Sequence, residues 1–317
     1  MINPVESSNP MVVVIVLNWN GKADTIECLK SLNLVQYPNL KITVVDNGSS
    51  DDSVESIAEA YPETDILETG MNLGYTGGNN CGIRRAVGSS AEFVLLLNND
   101  TRVEPAFLPR LVSAMQTDAR IGIAGPTVYE FPPSTRINAT GGRIRWKTGK
   151  LVSIGLRKSR NEEAAEYADV DYASGSCLLV RTRVFEDIGY LDEDFFAHWE
   201  EIDFCTRAKR RGYRVVWVKR AMIFHKDGGS SSKVLGFRAF HNARNRIWFM
   251  KKNARPLDLL TFLFYLVTFD FWFLVIIALM VEDKGGLKGL LTGTVRGIWR
   301  RPGADKGRDT PDFTTWR

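Results

Sequence analysis

The chain has 317 residues, 44% of them hydrophobic and 25% charged, which is enough to bury one large core or two modest ones. A net charge of +4, with no basic run interleaved with aromatics, argues against a nucleic-acid binder and suits an anionic substrate or an anionic membrane surface. Cys28, Cys81, Cys177 and Cys205 stand far apart, which excludes a CxxC redox pair or zinc ribbon and predicts reduced, mostly buried thiols.

Met1 to Pro10 is polar, and the apolar run that follows is short and lacks a basic lead, so no signal peptide is expected and the catalytic part is placed in the cytoplasm. Met11 to Leu17 is a β-branched run that predicts a strand buried on both faces. Lys22 to Leu34 predicts an amphipathic helix, and Lys41 to Val45 the next strand. Asp51 or Asp52 is placed to cap a helix through Tyr61. Asp65 to Glu68 reads as a short strand, Asn79 to Val87 as a helix, and Phe93 to Leu97 as a central strand. This alternation predicts a mostly parallel sheet with helices on both faces, which binds ligands at the carboxyl ends of its strands. From Ile121 to about Val170 the pattern weakens into hairpins and a mobile loop. Beyond it, Tyr172 to Val180 reads as a strand through Gly175, Thr182 to Ile188 and Ala197 to Arg211 as helices, and Arg214 to Val218 as a strand.

Leu257 to Val281 is mostly apolar and long enough to span a bilayer. It contains Asp258 and Asp270, and both flanks are basic, which argues against one simple crossing. A hairpin or in-plane helix pair on a membrane surface fits better, the alternative being a helix buried between subunits. The expected organisation is a catalytic domain over residues 1–250, membrane-associated helices over 251–302 and a disordered tail over 303–317.

The polar clusters fall where such a sheet would use them. Asn18-Trp19-Asn20-Gly21 follows the first strand and Asp46-Asn47-Gly48-Ser49-Ser50 the second; both suit a base or ribose, and both also make turns or caps. Asn72 to Asn80 is glycine-rich and opens a helix, a setting that favours anions, although it lacks the GxGxxG fingerprint and a P-loop lysine. Asn98-Asn99-Asp100 ends the central strand, where one carboxylate serves either a divalent cation on a diphosphate or a helix cap. Glu200, Glu201 and Asp203 open a helix. One glutamate is suited to general base work, Asp203 is spaced to pair with Arg207, and the three also complement the helix dipole. His225 ends a strand beside Gly228-Gly229-Ser230 as a candidate metal or phosphate ligand.

In order and spacing, VVIVLNWNG, VVDNGSSDDS, NLGYTGGNNCGI, FVLLLNNDT, ASGSCLLVRTRVFEDIGYLDEDFF, HWEEIDFCTRAKRRGY and IFHKDGGSS resemble the family 2 inverting glycosyltransferases of GT-A fold, especially the rhamnosyltransferase-like branch. The resemblance runs from about Met11 to Met250. It implies an α/β, Rossmann-like GT-A domain with a C-terminal hydrophobic helical tail. It implies nucleotide-sugar contacts at Leu17, Asn18, Asn20, Asp46, Asn47, Asn72, Gly77, Gly78, Asn79, Asn98 and Asn99. Asn98-Asn99-Asp100 corresponds to the DxD motif with only its last acid kept, so Asp100 and His225 are implied as ligands of a divalent metal, Mg or Mn. Glu200, Glu201 and Asp203 match the acidic catalytic motif, with Glu201 at the general base. The implied reaction is one inverting transfer from a dTDP-, UDP- or GDP-sugar to a glycan or lipid-linked acceptor, at the cytoplasmic face of the cell membrane. No Gln-x-x-Arg-Trp motif is present around Asn242 to Trp248, which implies transfer of a single sugar. A nucleotidyltransferase would carry a glycine-rich loop with Lys or Arg after the first strand, where Asn18-Trp19-Asn20 stands instead. An inactive sugar-nucleotide-binding scaffold is the other alternative.

Overall fold

The computed structural model describes residues 9–132, 134–154, 166–226 and 236–300. The expected tail 303–317, most of the loop before Glu166 and the Gly228-Gly229-Ser230 cluster lie outside them. Strands β1 (Val12–Asn18), β2 (Leu40–Asp46), β3 (Asp65–Glu68) and β4 (Phe93–Asn98) alternate with helices α1 (Lys22–Leu32), α2 (Ser53–Ala60) and α3 (Gly74–Val87). There follow β5 (Thr101–Val103), α4 (Phe107–Thr117), β6 (Ile121–Glu130), β7 (Ile137–Ala139), β8 (Gly141–Arg145), β9 (Lys150–Ser153), β10 (Tyr167–Asp169), β11 (Tyr172–Ala173) and β12 (Cys177–Arg181). Helices α5 (Thr182–Ile188) and α6 (Glu200–Arg210) precede β13 (Arg214–His225) and α7 (Phe237–Asn253). The chain then forms α8 (Pro256–Met280), with a π turn at Leu266–Asp270, and α9 (Lys284–Trp299).

Among the described residues a ten-stranded sheet runs β10-β13-β6-β12-β4-β1-β2-β3, with β5 paired to β13 and β7 to β6. β4, β1, β2 and β3 are mutually parallel, as are β6 and β13, while β12 is antiparallel to both neighbours. The β-branched residues of β1 are buried on both faces, because helices cover the sheet on each side. Ile15, Val45, Leu96 and Phe204 pack in one layer, and Val14, Leu29, Leu95 and Phe107 in the other.

Five sequence expectations are corrected. α3 begins at Gly74, not Asn79, so Gly77, Gly78 and Asn79 are buried helical residues rather than an open loop. Packing overrides the low helix propensity of glycine here: a Cβ on Gly78 would lie 2.5 Å from Leu17 Cδ1 and one on Gly77 2.7 Å from Leu73 Cβ. The stretch after Ile121 opens with β6, a ten-residue buried strand whose pattern is interrupted by Gly125-Pro126. The expected strand through Gly175 is two strands: β11 joins a small sheet with β8 and β9, while β12 joins the large one. Between them Ser174 and Ser176 bond hydroxyl to hydroxyl at 2.9 Å and Cys177 N–H donates to the Ser174 carbonyl. The helix expected from Ala197 starts at Glu200. Finally, β13 runs on past Val218 through a register shift, where Thr127 Oγ1 donates to the Lys219 carbonyl at 2.9 Å. That extension pairs β13 with β5 and sets His225 opposite Thr101.

Candidate active site

The carboxyl ends of β1, β2 and β4 form a polar floor. Asp46 Oδ1 accepts from Asn18 Nδ2 at 2.8 Å and from Ser49 Oγ at 2.6 Å, and its Oδ2 accepts from the Ser49 N–H. Asn18 Oδ1 accepts from Thr25 Oγ1 at 2.8 Å, and Asn99 Nδ2 donates to the same hydroxyl oxygen at 3.0 Å. Asn47 is buried; it donates to Asn72 Oδ1 and to the Gly74 carbonyl, and accepts from the Leu73 N–H. Asn72 Oδ1 also accepts from the Gly74 N–H at 2.8 Å, which fixes the first turn of α3. Asn20, at φ 49°, accepts from the Ser50 N–H. Leu17 is half-buried against the Gly78 backbone, and Asn79 turns back on its own helix to donate to the Tyr75 carbonyl. Asn18, Asn20, Asp46, Asn47, Asn72 and Asn99 thus form one connected rim, with Gly77, Gly78 and Asn79 packed beneath it.

At the end of β4 the chain turns into β5 and brings three groups together. His225 Nε2 lies 3.0 Å from Asp100 Oδ1 and 3.4 Å from Asn98 Nδ2. Asn98 Oδ1 is buried with no hydrogen-bond partner. Among the described residues no group of three His, Cys, Asp or Glu side chains suits a metal. One carboxylate, one imidazole and an unsatisfied amide oxygen still fit a cation that takes its other ligands from phosphates and water.

The acidic pair opens α6. Glu200 is 5% exposed, and Glu200 Oε2 and Glu201 Oε2 are both buried without partners. Burial, reinforced by the charge of Glu201, raises the Glu200 carboxyl well above the usual range. Burial raises Glu201 to about 7. The Glu201 carboxyl lies against the open backbone of Gly175, where a Cβ would stand 3.2 Å from Glu201 Cδ. Tyr75 donates to the Gly175 carbonyl at 2.8 Å, and its phenol is pushed up by burial and by the charges of Glu200 and Glu201. Tyr75 and Gly175 complete this pocket. In the sequence Tyr75 reads only as part of the glycine-rich Asn72 to Asn80 cluster and Gly175 only as part of a strand; their meeting beside Glu201 is not legible there, because 100 positions separate them.

Asp203, grouped with these acids from its spacing, points elsewhere. It is fully buried, and accepts from Arg207 Nε at 2.8 Å, Lys252 Nζ at 3.0 Å and Asn253 Nδ2 at 2.9 Å. The expected Arg207 pair is present within α6, and the contacts with Lys252 and Asn253 tie α6 to α7.

The turn entering α6 is strained. Phe196, His198 and Trp199 have φ of 61°, 67° and 77°, conformations that cost a non-glycine residue about 1–2 kcal/mol each. α7 holds them there. Asn245 Nδ2 lies 2.9, 2.8 and 2.7 Å from the carbonyls of Phe195, Ala197 and His198. Arg244 Nη2 donates to the Phe195 carbonyl at 3.0 Å, and Trp199 Nε1 donates to Asn242 Oδ1 at 3.2 Å. On the far side Thr76 N–H donates to the Phe196 carbonyl, so the turn touches the start of α3.

The family model described as glycosyl transferase family 2 matches residues 12–189. The chain belongs to that family. Its fold agrees: the Pyrobaculum calidifontis mannosyltransferase solved with GDP-Man and Mn2+ superposes with a TM-score of 0.61 at 16% identity, over 92% of this chain and 88% of the other. The sheet and its flanking helices are those of a GT-A glycosyltransferase. Over 299 residues this glycosyltransferase is 26% identical to a low-salt glycan biosynthesis hexosyltransferase of Haloferax volcanii, covering 92% of each chain. It is 28% identical over 222 residues to an N-acetylglucosaminyl-diphospho-decaprenol L-rhamnosyltransferase of Mycobacterium tuberculosis, covering 65% of this chain and 72% of the relative. The family match stops short of Glu200, Glu201 and His225.

Proposed function

We propose that this glycosyltransferase moves one sugar from a nucleotide-sugar donor to an acceptor hydroxyl with inversion at the anomeric carbon, and that Glu201 is the general base. The buried carboxyl of Glu201 carries this reading: it is raised to about 7, keeps one oxygen unpartnered and lies against bare backbone at Gly175. A base so tuned is ionised in useful amounts near neutral pH and retains strong affinity for a proton. Glu201 takes the acceptor proton as the hydroxyl oxygen attacks, and the nucleoside diphosphate leaves on the opposite face. Burial keeps water from the carboxyl and holds its proton affinity up.

The donor nucleotide, a dTDP-, UDP- or GDP-sugar, is placed on the rim of Leu17, Asn18, Asn20, Asp46, Asn47, Asn72 and Asn99, above Gly77, Gly78 and Asn79. Asp100, His225 and Asn98 would hold a divalent cation, Mg or Mn. When bound, that cation supplies charge stabilisation to the leaving diphosphate. The acceptor is proposed to be a glycan or a lipid-linked glycan met at the cytoplasmic face of the cell membrane. The exposed apolar residues of α8, among them Leu260, Phe264, Trp272 and Phe273, support that location. So does the small sheet, which reaches from the Glu201 pocket to α8: Tyr172 of β11 feels the Glu201 charge, while Gly149, before β9, sits on Phe262.

The deciding experiment is a thermal-shift screen of UDP-, dTDP- and GDP-sugars with and without Mg or Mn, followed by transfer assays with the donor that binds. A metal-dependent shift with one donor, and turnover lost in Glu201→Gln, is the expected result. Binding without turnover in the unaltered protein, with acceptor and membrane supplied, would mark it as an inactive binder.

A further inference from the structure

The chain leaves the catalytic body at the end of α7 and comes back to it. α8 has 25 residues, about 37 Å of helix, which exceeds the hydrocarbon core of a bilayer. Yet α9, which follows it, packs along α7 from end to end. A Cβ on Gly289 would strike the Gly236 carbonyl, one on Gly293 the Phe240 carbonyl, and one on Gly297 would lie 2.9 Å from Ile247 Cδ1. At the far end Lys251 Nζ donates to the carbonyls of Gly297 and Ile298. α9 therefore runs in the same direction as α7, and α8 must run back alongside the catalytic body to join them.

The middle of α8 is fastened as well. Asp270 is 3% exposed. It pairs with Arg246 Nη1 of α7 at 2.5 Å and with Lys150 Nζ of β9 at 3.2 Å, and accepts from Tyr265 OH at 3.3 Å. Arg246 also donates to the Thr148 carbonyl at 2.5 Å and lies over the Phe262 ring. The carboxylate that argues against a crossing is thus turned into the protein, at the π turn. The opposite face is left bare: Leu257, Phe264, Phe269, Trp272, Phe273 and Met280 are 57–78% exposed. Exposed cations stand at its ends, Arg255 before it and Lys284 after it.

We propose that α8 is an in-plane helix, lying in one leaflet of an anionic membrane with its Asp270 face clamped to the catalytic domain and both ends on the same side. This rests on the membrane location proposed above and specifies its geometry. A crossing would carry α9 to the far side and strip it from α7, and would leave Arg246 and Lys150 without their carboxylate. The lipid leaflet is chosen as occupant because the bare face is rich in aromatic residues and the helix carries an exposed cation at each end, a combination that suits acyl chains beneath anionic headgroups.

The test uses the full chain in sealed inside-out vesicles from expressing cells, in a Cys81→Ser background, with Arg255→Cys or Glu282→Cys added one at a time. A membrane-impermeant maleimide is applied before and after detergent. The expected result is equal labelling of both sites before detergent and no gain on adding it. A Glu282→Cys site that labels only after detergent overturns the in-plane arrangement while leaving membrane association intact. A chain that fails to float with vesicles of anionic phospholipid overturns both, and a concentration-dependent dimer of that chain would give the apolar face to a second copy. As a control on the clamp, Asp270→Leu with Arg246→Met removes the buried charges; if the cluster holds the helix down, the double variant loses its pre-detergent labelling at Glu282→Cys or its docking to the body, read as new proteolysis within α8. Unchanged labelling and unchanged proteolysis would overturn the role given to the clamp.

Discussion

Along the ends of β1, β2 and β4, Asn18, Asp46, Asn47 and Asn99 commit their side chains to one another and to neighbouring backbone. At the start of α6, Glu200 and Glu201 each keep one buried carboxyl oxygen without a partner, behind a turn with three left-handed non-glycine residues. The first region is stable as it stands, and its shape is ready before any ligand arrives. The second stores desolvation and backbone strain, and α7 is what keeps it in place. Rigidity at the proposed donor rim and unsatisfied proton affinity at the proposed base are different physical needs, and the chain meets them in separate places.

The sharpest way to test that division is Glu201→Gln, which keeps shape and removes the base. Turnover should fall by about 10³-fold, the scale of a general base, with donor affinity by calorimetry unchanged; a parallel loss of donor binding would show that the two regions are not separable. Asn245→Ala comes next. It removes the amide that holds the carbonyls of Phe195, Ala197 and His198, and relaxation of the turn should cost about 10–100-fold in kcat, the scale of a misplaced catalytic group. Donor affinity should again hold, and a variant that lost donor binding and turnover together would argue for a general folding defect.

The pH profile follows from the Glu201 carboxyl. The base works ionised, so kcat/KM should fall as pH drops through about 7. For stability the sign is opposite: the fold favours the protonated form, so the stability linked to Glu201 is present in mild acid and is lost as pH rises from the ordinary carboxyl range through about 7. Glu201→Gln should therefore gain on the unaltered protein in urea titrations above neutrality, and not in acid. The smallest effect is expected on the other side of the comparison. Gly78→Ala forces a methyl to 2.5 Å from Leu17 Cδ1 and 3.0 Å from Asn47 Cγ, an overpacking of about 1–3 kcal/mol. It should lower the urea midpoint and weaken donor binding through Asn47, with kcat at saturating donor little changed.

Much of the rim was legible because its residues stand directly after the strands they extend: Asn18 after the β-branched run, Asp46-Asn47 after β2, Asn98 to Asp100 after β4. Periodicity and turn chemistry are local, and these features are local. α3 was misjudged at its start because three glycines in five residues signal a loop unless the side chains they make room for are known. β6 was lost behind Gly125-Pro126, and β13 was cut short because its register shift interrupts the alternation. Tyr75 with Gly175, Asn245 with the turn before α6, and Asp270 with Lys150 join positions far apart in the chain, and no window of sequence holds both partners. The same holds for Asp203, whose acidic neighbours suggested chemistry while its contacts with Lys252 and Asn253 make it an anchor.

The three-glycine face of α9 has a practical consequence for anyone wanting this enzyme in soluble form. Ending the chain after Asn253 would discard the apolar helix, but would also uncover the strip of α7 around Phe240 and Ile247 that α9 now seals. A better excision removes 256–280 alone, splices α9 back and adds Arg246→Met, since Arg246 would lose both Asp270 and the Phe262 ring. Because α9 starts beside the opposite end of the 17-residue α7, the splice must bridge about 25 Å, roughly eight extended residues, and a polar linker of that reach should give a protein that stays in solution with its catalytic turn still braced.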